Sequence, residues 1–278
     1  KNIDDQFVDI DRTTEAEYNR RWDLPSAASR REVVRELRSR YEPVTGVAFV
    51  GEIGSIRKGD AFNSGRWQLD HSFSIKKLPT ANYRIERIRR NNLLPQQTGD
   101  WLRQRGDVAW KVWKVQPTFR YEGENKKENW SDSLYTGFKF DDIAGGLGFE
   151  PFSQITLSGT VSQRKDWDYT DSDQFTEKSL ANTQNLSLNI QRFKFWTTAV
   201  DLTHRKKTYA NPSLEDTRTD LAEVRMQLTP WKRVVDANLN YQISNTATAR
   251  KDRIYIRVPE GEGNYRYDEQ LREYVYDP

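Results

Sequence analysis

The chain has 278 residues, of which 31% are charged and 35% hydrophobic, and its 44 basic and 41 acidic residues leave a net charge of +3. No apolar run approaches the ~18–20 residues of a spanning helix, which excludes a helical membrane protein, and so balanced a charge gives no argument for nucleic acid. With no cysteine, two histidines (His71 and His204) and one methionine, disulfide frameworks, thiolate metal sites and thiol nucleophiles are excluded. Yet the chain carries 9 Trp, 13 Tyr and 12 Phe, the residues that disordered segments lack.

In chain order, residues 1–30 read as an extended or linker segment; the Lys-Asn start, without a signal peptide, suggests a mature product or an excised piece. Over 31–42, Val33, Leu37 and Tyr41 suit a strand, although Ser29 and Glu32 also fit a helix capping box. We take the strand, because it falls in register with a repeat that follows.

That repeat is about 37 residues long. Tyr41-Glu42-Pro43 leads into alternating Val47, Phe49, Gly51 and Ile53, and Phe149-Glu150-Pro151 leads into Ile155, Leu157, Gly159 and Val161. Leu228-Thr229-Pro230 leads likewise into Val235, Ala237, Leu239 and Tyr241, and weaker copies surround Pro79, Pro117 and Arg192. The turn centres fall at 43, 79, 117, 151, 192 and 230. Alternating runs also precede the turns: Trp67, Leu69 and Phe73; Leu186, Leu188 and Ile190; Ala222, Val224, Met226 and Leu228. Apolar–polar period two is the signature of half-buried strands. The unit is therefore a β-hairpin, and the fold an all-β, antiparallel up-and-down meander of about twelve or more strands. Between hairpins, residues 58–64, 90–104, 125–133, 165–178 and 209–216 read as long polar loops.

A barrel of about eight strands can fill its interior with side chains, but one of twelve is too wide. The alternative is inversion, with the apolar face to lipid and the polar face to a wet lumen, as in transmembrane β-barrels. Candidate lumen-lining residues are Arg84, Glu86, Glu223, Arg225, Asp236 and Asn238, with Thr156, Ser158, Thr160, Asn185, Ser187 and Asn189. An interfacial aromatic belt is predicted from Tyr41, Trp113, Phe149, Phe193 and Trp231 on the turn side, and from Trp67, Trp101, Trp130, Trp167 and Tyr209 on the loop side.

On these residues the segment 31–258 resembles part of a Gram-negative outer-membrane β-barrel. The tail 259–278, Gly/Tyr/Asp-rich and read as a linker or loop, is similar to linkers in very large surface β-proteins of Bacteroidota-like envelopes. The resemblance implies an outer-membrane or cell-surface location and contacts with lipid, lipopolysaccharide and other envelope proteins. One departure stands out: such barrels usually end in a strand with a terminal aromatic, whereas this chain ends Tyr276-Asp277-Pro278. A fragment of a longer chain is the expectation.

Other constellations read blandly. Asp166, Asp168, Asp171 and Asp173 form an acidic loop without EF-hand spacing, read as solvated rather than as a calcium site. At Asp141-Asp142 the apolar parity switches, which predicts a β-bulge. Gly145-Gly146-Leu147-Gly148 precedes no helix and is no phosphate loop. His71 sits on the apolar parity; the basic runs 204–207 and 87–90 read as solvated strand ends, with lipopolysaccharide phosphate the functional alternative. No catalytic residues, metal or cofactor are assigned. The expectation is a non-enzymatic barrel acting as pore, translocation conduit or surface scaffold. The alternative is a soluble, secreted β-rich module binding glycan or protein through Trp130, Trp167, Tyr169 and Tyr209; a barrel-borne enzyme ranks third.

Overall fold

The structure, a computed structural model, describes residues 19–23, 32–59, 61–93, 96–130, 134–170, 174–193, 195–230, 236–248, 265–268 and 273–276. Twelve strands, β1 (Glu32–Val44), β2 (Val47–Lys58), β3 (Phe62–Phe73), β4 (Thr80–Leu93), β5 (Gln96–Ala109), β6 (Val115–Trp130), β7 (Leu134–Phe152), β8 (Ile155–Thr170), β9 (Gln174–Phe193), β10 (Trp196–Tyr209), β11 (Thr217–Leu228) and β12 (Ala237–Thr248), form one sheet in sequence order. Every neighbouring pair is antiparallel. The all-β meander is as the alternation predicts, and β1 is strand rather than helix. The sheet is not closed: β1 and β12 are its edges.

The predicted long loops are mostly strand. β4 runs to Leu93 and β5 restarts at Gln96; β6 runs to Trp130, and β8 and β9 continue to Thr170 and from Gln174. Of the five predicted loops, only the 209–216 connection matches its expected bounds, between Tyr209 and Thr217. Apolar periodicity marks where one face meets something apolar, whereas backbone pairing continues beyond it, where both faces are polar. The predicted bulge at Asp141-Asp142 is also absent, since β7 keeps continuous register with β6 from Leu134 to Phe149 and with β8 from Phe138 to Phe149. The parity switch is a change of face. Phe138 and Phe140 lie on the polar side, where the Arg164 guanidinium caps Phe140 at 3.8 Å.

Successive register also staggers the sheet. The row of partners that starts at Tyr41, near the turn end of β1, passes through Phe49, His71, Tyr83, Gly106, Tyr121, Ile143, Gln163, Asn182, Lys206 and Arg218. It finishes at Ala247, near the opposite end of β12. Strands staggered in this sense are tilted against the line of their turns, the geometry that barrel closure requires.

From residue 249 the chain forms a separate unit, in which β13 (Tyr265–Asp268) and β14 (Glu273–Tyr276) pair as a short antiparallel hairpin. The tail read as linker therefore has regular structure. So does the N-terminal segment, which makes a helical turn at 19–22.

Candidate functional site

Period-two geometry gives each strand an outward and an inward set of side chains, and burial assigns them in reverse of a water-soluble sheet. In β3 the even residues Phe62, Ser64, Arg66 and Gln68 are buried, while Trp67 and Leu69 are 40% and 41% exposed. The apolar face is uncovered across the sheet: Ile53 is 58% exposed, Val161 60%, Tyr241 55%. Its residues stack in cross-strand rows, one running Leu157, Leu188, Val200, Val224, Tyr241 and the next Gly159, Leu186, Leu202, Ala222, Ile243. Along the second row lies an open hollow of about 590 Å³.

This apolar surface stops abruptly toward the end of the sheet opposite the 45–46 turn. Moving one outward position along each strand, Ile85 gives way to Arg87, Leu102 to Asp100, Ile143 to Asp141, Leu186 to Gln184, Leu202 to His204 and Ile243 to Asn245. The polar border is internally paired: Arg87 Nη2 lies 2.5 Å from Asp100 Oδ2, the Tyr121 hydroxyl donates to Asp141 at 2.9 Å, and His204 Nδ1 lies 2.6 Å from Asp220. Beyond it, Trp167 lies between Lys139 and Lys165, whose ammonium groups are 4.4 and 5.3 Å from its ring.

The predicted aromatic belt is only partly placed as expected. Tyr41, Trp113 and Phe149 are exposed at the turn end. Trp113 also adopts a φ of +56° and is 79% exposed, a backbone state that costs a non-glycine residue about 1 kcal/mol or more. Trp67 instead sits mid-strand, opposite Ile53 and Arg87. Trp101 is on the polar face and 8% exposed, because Arg103 and Lys126 stack on its ring and its Nε1 donates to Glu124 at 3.2 Å. Trp130 and Tyr209 share that polar parity. Trp231 and the side chain of Phe193 lie outside the described residues. The four aromatics proposed for a soluble binding module occupy two different faces, and Tyr169 is only 1% exposed. They form no common platform.

The polar face carries all six predicted lumen residues. Arg84 pairs with Asp70, and Arg225 with Asp201 and Glu223 at 3.2 and 3.1 Å. Asp236 accepts from Gln227, whose cross-strand partner is Asn238. Glu86 belongs to a denser set. Register aligns Glu52, Gln68, Glu86, Arg103 and Glu124 in one row, and Gly54, Arg66, Ile88, Trp101 and Lys126 in the next. Arg66 bridges Glu86 at 2.5 Å and Glu52 at 3.0 Å, and Arg103 reaches the other Glu86 oxygen at 2.6 Å. Asp166 and Asp168, read as an acidic loop, are paired strand residues on Arg164 and Lys178; Asp171 and Asp173 lie outside the described residues. Among the described residues no cluster of His, Cys, Asp and Glu could hold a metal ion.

What the sequence reading missed is that the chain covers this charged face itself. Trp22, 1% exposed, packs with Ile56 and Phe62. Its indole edge packs against Gly54, where an added Cβ would come within 2.8 Å of Cη2, so any larger residue there would push the ring away. Ser64 Oγ donates to the Trp22 carbonyl at 2.9 Å, and Arg90 Nη1 to the Asp23 carbonyl at 2.9 Å. The Asp23 carboxylate takes Lys126 at 2.7 Å and Arg90 at 3.2 Å, while Glu128 accepts from both cations at 2.9 Å. Arg21 pairs with Glu36 at 2.7 Å. Gly99 makes the same kind of room for Arg90, whose Nε would sit 2.7 Å from a Cβ there. Two inward glycines among large polar side chains were the available sequence signal.

No protein-family model and no curated protein matches the chain.

Proposed function

We propose that the chain is a non-enzymatic outer-membrane β-barrel, or a large part of one, acting as a pore, translocation conduit or surface scaffold. The observation that carries this reading is the inverted burial: a continuous apolar surface faces outward while charged side chains are covered. In water, an exposed apolar patch of this extent is a liability unless it meets a membrane or partner. From Ile143 to Phe152, β7 covers roughly 30 Å at ~3.3 Å per residue; a tilt of about 40° brings that close to the ~25 Å apolar band of outer-membrane barrels. The abrupt polar border and the strained, exposed Trp113 suit the two edges of such a band.

In lipid every backbone polar group must be paired. The β1 and β12 edges therefore join, to each other or through further strands. Lys139, Lys165, Arg89 and Lys206, outward beyond the border, suit anionic lipid headgroups such as lipopolysaccharide phosphates. The hydroxyl- and amide-rich inward residues of β8, β9 and β12 suit a wet lining.

The test is behaviour in detergent. The reading predicts that the protein needs detergent for solubility and migrates faster on a gel unheated than boiled. A monodisperse protein without detergent, with no heat-dependent shift, would overturn it.

A further inference from the structure

We propose that the polar face of β2–β6 is a peptide-binding slot, occupied in cis by residues 20–23, and that this segment is the stopper of the conduit. The inference rests on the pore reading above and assigns its closed state.

Three features make the contact a built site. First, it is deep: the side chains of Arg90 and Asp23 are 6% and 8% exposed, and Trp22 is among the most buried residues described. Second, it is complementary in both chemistry and shape. The indole has a floor without a Cβ, and the backbone carbonyls of Trp22 and Asp23 each accept a side-chain hydrogen bond. The Asp23 carboxylate meets two cations, while Arg20 and Arg21 meet carboxylates of Glu124, Glu36 and Glu52. Third, it reaches across the sheet, engaging β1, β2, β3, β4 and β6 rather than a single hairpin.

Its position gives it a consequence. The segment lies on the face assigned to the lumen, over the row of buried charges from Glu52 to Glu124. It thus covers groups that a conduit would otherwise expose to water and solute. The ligand chemistry is specific: an arginine pair, an aromatic that fits over Gly54, and a carboxylate immediately after it. A hydrophobic residue in place of Asp23 would leave Lys126 and Arg90 facing each other with only Glu128 between them.

The experiment uses the full chain reconstituted in planar bilayers, with conductance as the readout. The protein has no cysteine, so a D23C/K126C pair reacts alone with a short, reducible bifunctional thiol linker. Bridged protein should conduct little, and reduction of the linker should raise conductance several-fold. W22A/D23N should match the reduced state without any linker. Failure of the pair to bridge would overturn the slot. A conductance that neither reduction nor W22A/D23N alters would overturn the stopper and leave the pore standing. No conductance in any variant would overturn both.

Discussion

The two halves of the sheet treat the same polar face differently. In β2–β6 it is crowded with charge and covered: Glu52, Arg66, Glu86 and Arg103 interlock, as do Arg90, Lys126 and Glu128, and Arg21 and Asp23 of the docked segment pair into the two sets. In β8, β9 and β12 it is lined by Thr156, Ser158, Thr160, Asn185, Ser187, Asn238 and Asn240, and no segment of the described chain is seen to cover it. Both surfaces are polar, but the first joins its charges into one covered network, whereas the second holds separate and more exposed pairs such as Arg164–Asp166 and Arg225–Asp201. Buried charges are tolerated when every one has its counter-charge, whereas hydroxyls and amides are satisfied by water alone. The first half is covered by the chain's own residues 20–23, the second by no described segment.

The largest expected effect comes from breaking the covered half. Arg66→Ala leaves the Glu52 and Glu86 carboxylates without their shared partner and should cost about 3–5 kcal/mol, read as a lowered denaturation midpoint in detergent. Thr160→Ala, in the wet half, should stay within about 0.5 kcal/mol. Equal losses would show that the halves do not differ in this way.

Leu202→Arg places a charge on the outward face, where depth-dependent penalties reach roughly 2–4 kcal/mol; membrane insertion should fall. Thr203→Arg, one residue on and inward, should insert normally. Gly54→Leu should expel Trp22 and make residues 19–23 accessible to protease, while Gly51→Ala, with nothing within 4 Å of its Cβ position, should not. The smallest effect belongs to the pair Lys165–Glu177, 40% and 44% exposed. Losing it should change stability by under about 1 kcal/mol, less still at high salt.

The hairpins were legible because alternation is imposed by a face, and the apolar rows at Leu157, Leu188, Val200 and Val224 carry that pattern plainly. Strand length was not legible, because in the outer parts of β4–β9 the cross-strand partners are polar on both faces, such as Arg87 with Asp100 and Lys165 with Glu177, and leave no apolar alternation. Phe138 and Phe140 break the apolar parity as a bulge would, but they stack on each other on the polar side, where the Arg164 guanidinium caps Phe140. Residue type places Trp101 in the loop-side aromatic belt, whereas Arg103 and Lys126 hold it on the polar face. The six residues from Arg84 to Asn238 share one polar face, and parity alone is enough to group them. The docked turn was invisible, because Trp22 and Asp23 belong to no repeat and their partners lie far along the chain.

The central claim is that the apolar face meets lipid and the polar face meets water. It is tested most directly by single spin-labelled cysteines at Ala199, Val200, Asp201, Leu202, Thr203 and His204 in the cysteine-free chain, reconstituted in bilayers. Collision rates with oxygen and with a water-soluble nickel chelate would be compared at each site. Oxygen should dominate at Val200 and Leu202, and nickel at Ala199, Asp201 and Thr203, in period two. Nickel access at Val200 and Leu202 equal to that at their neighbours would contradict the account.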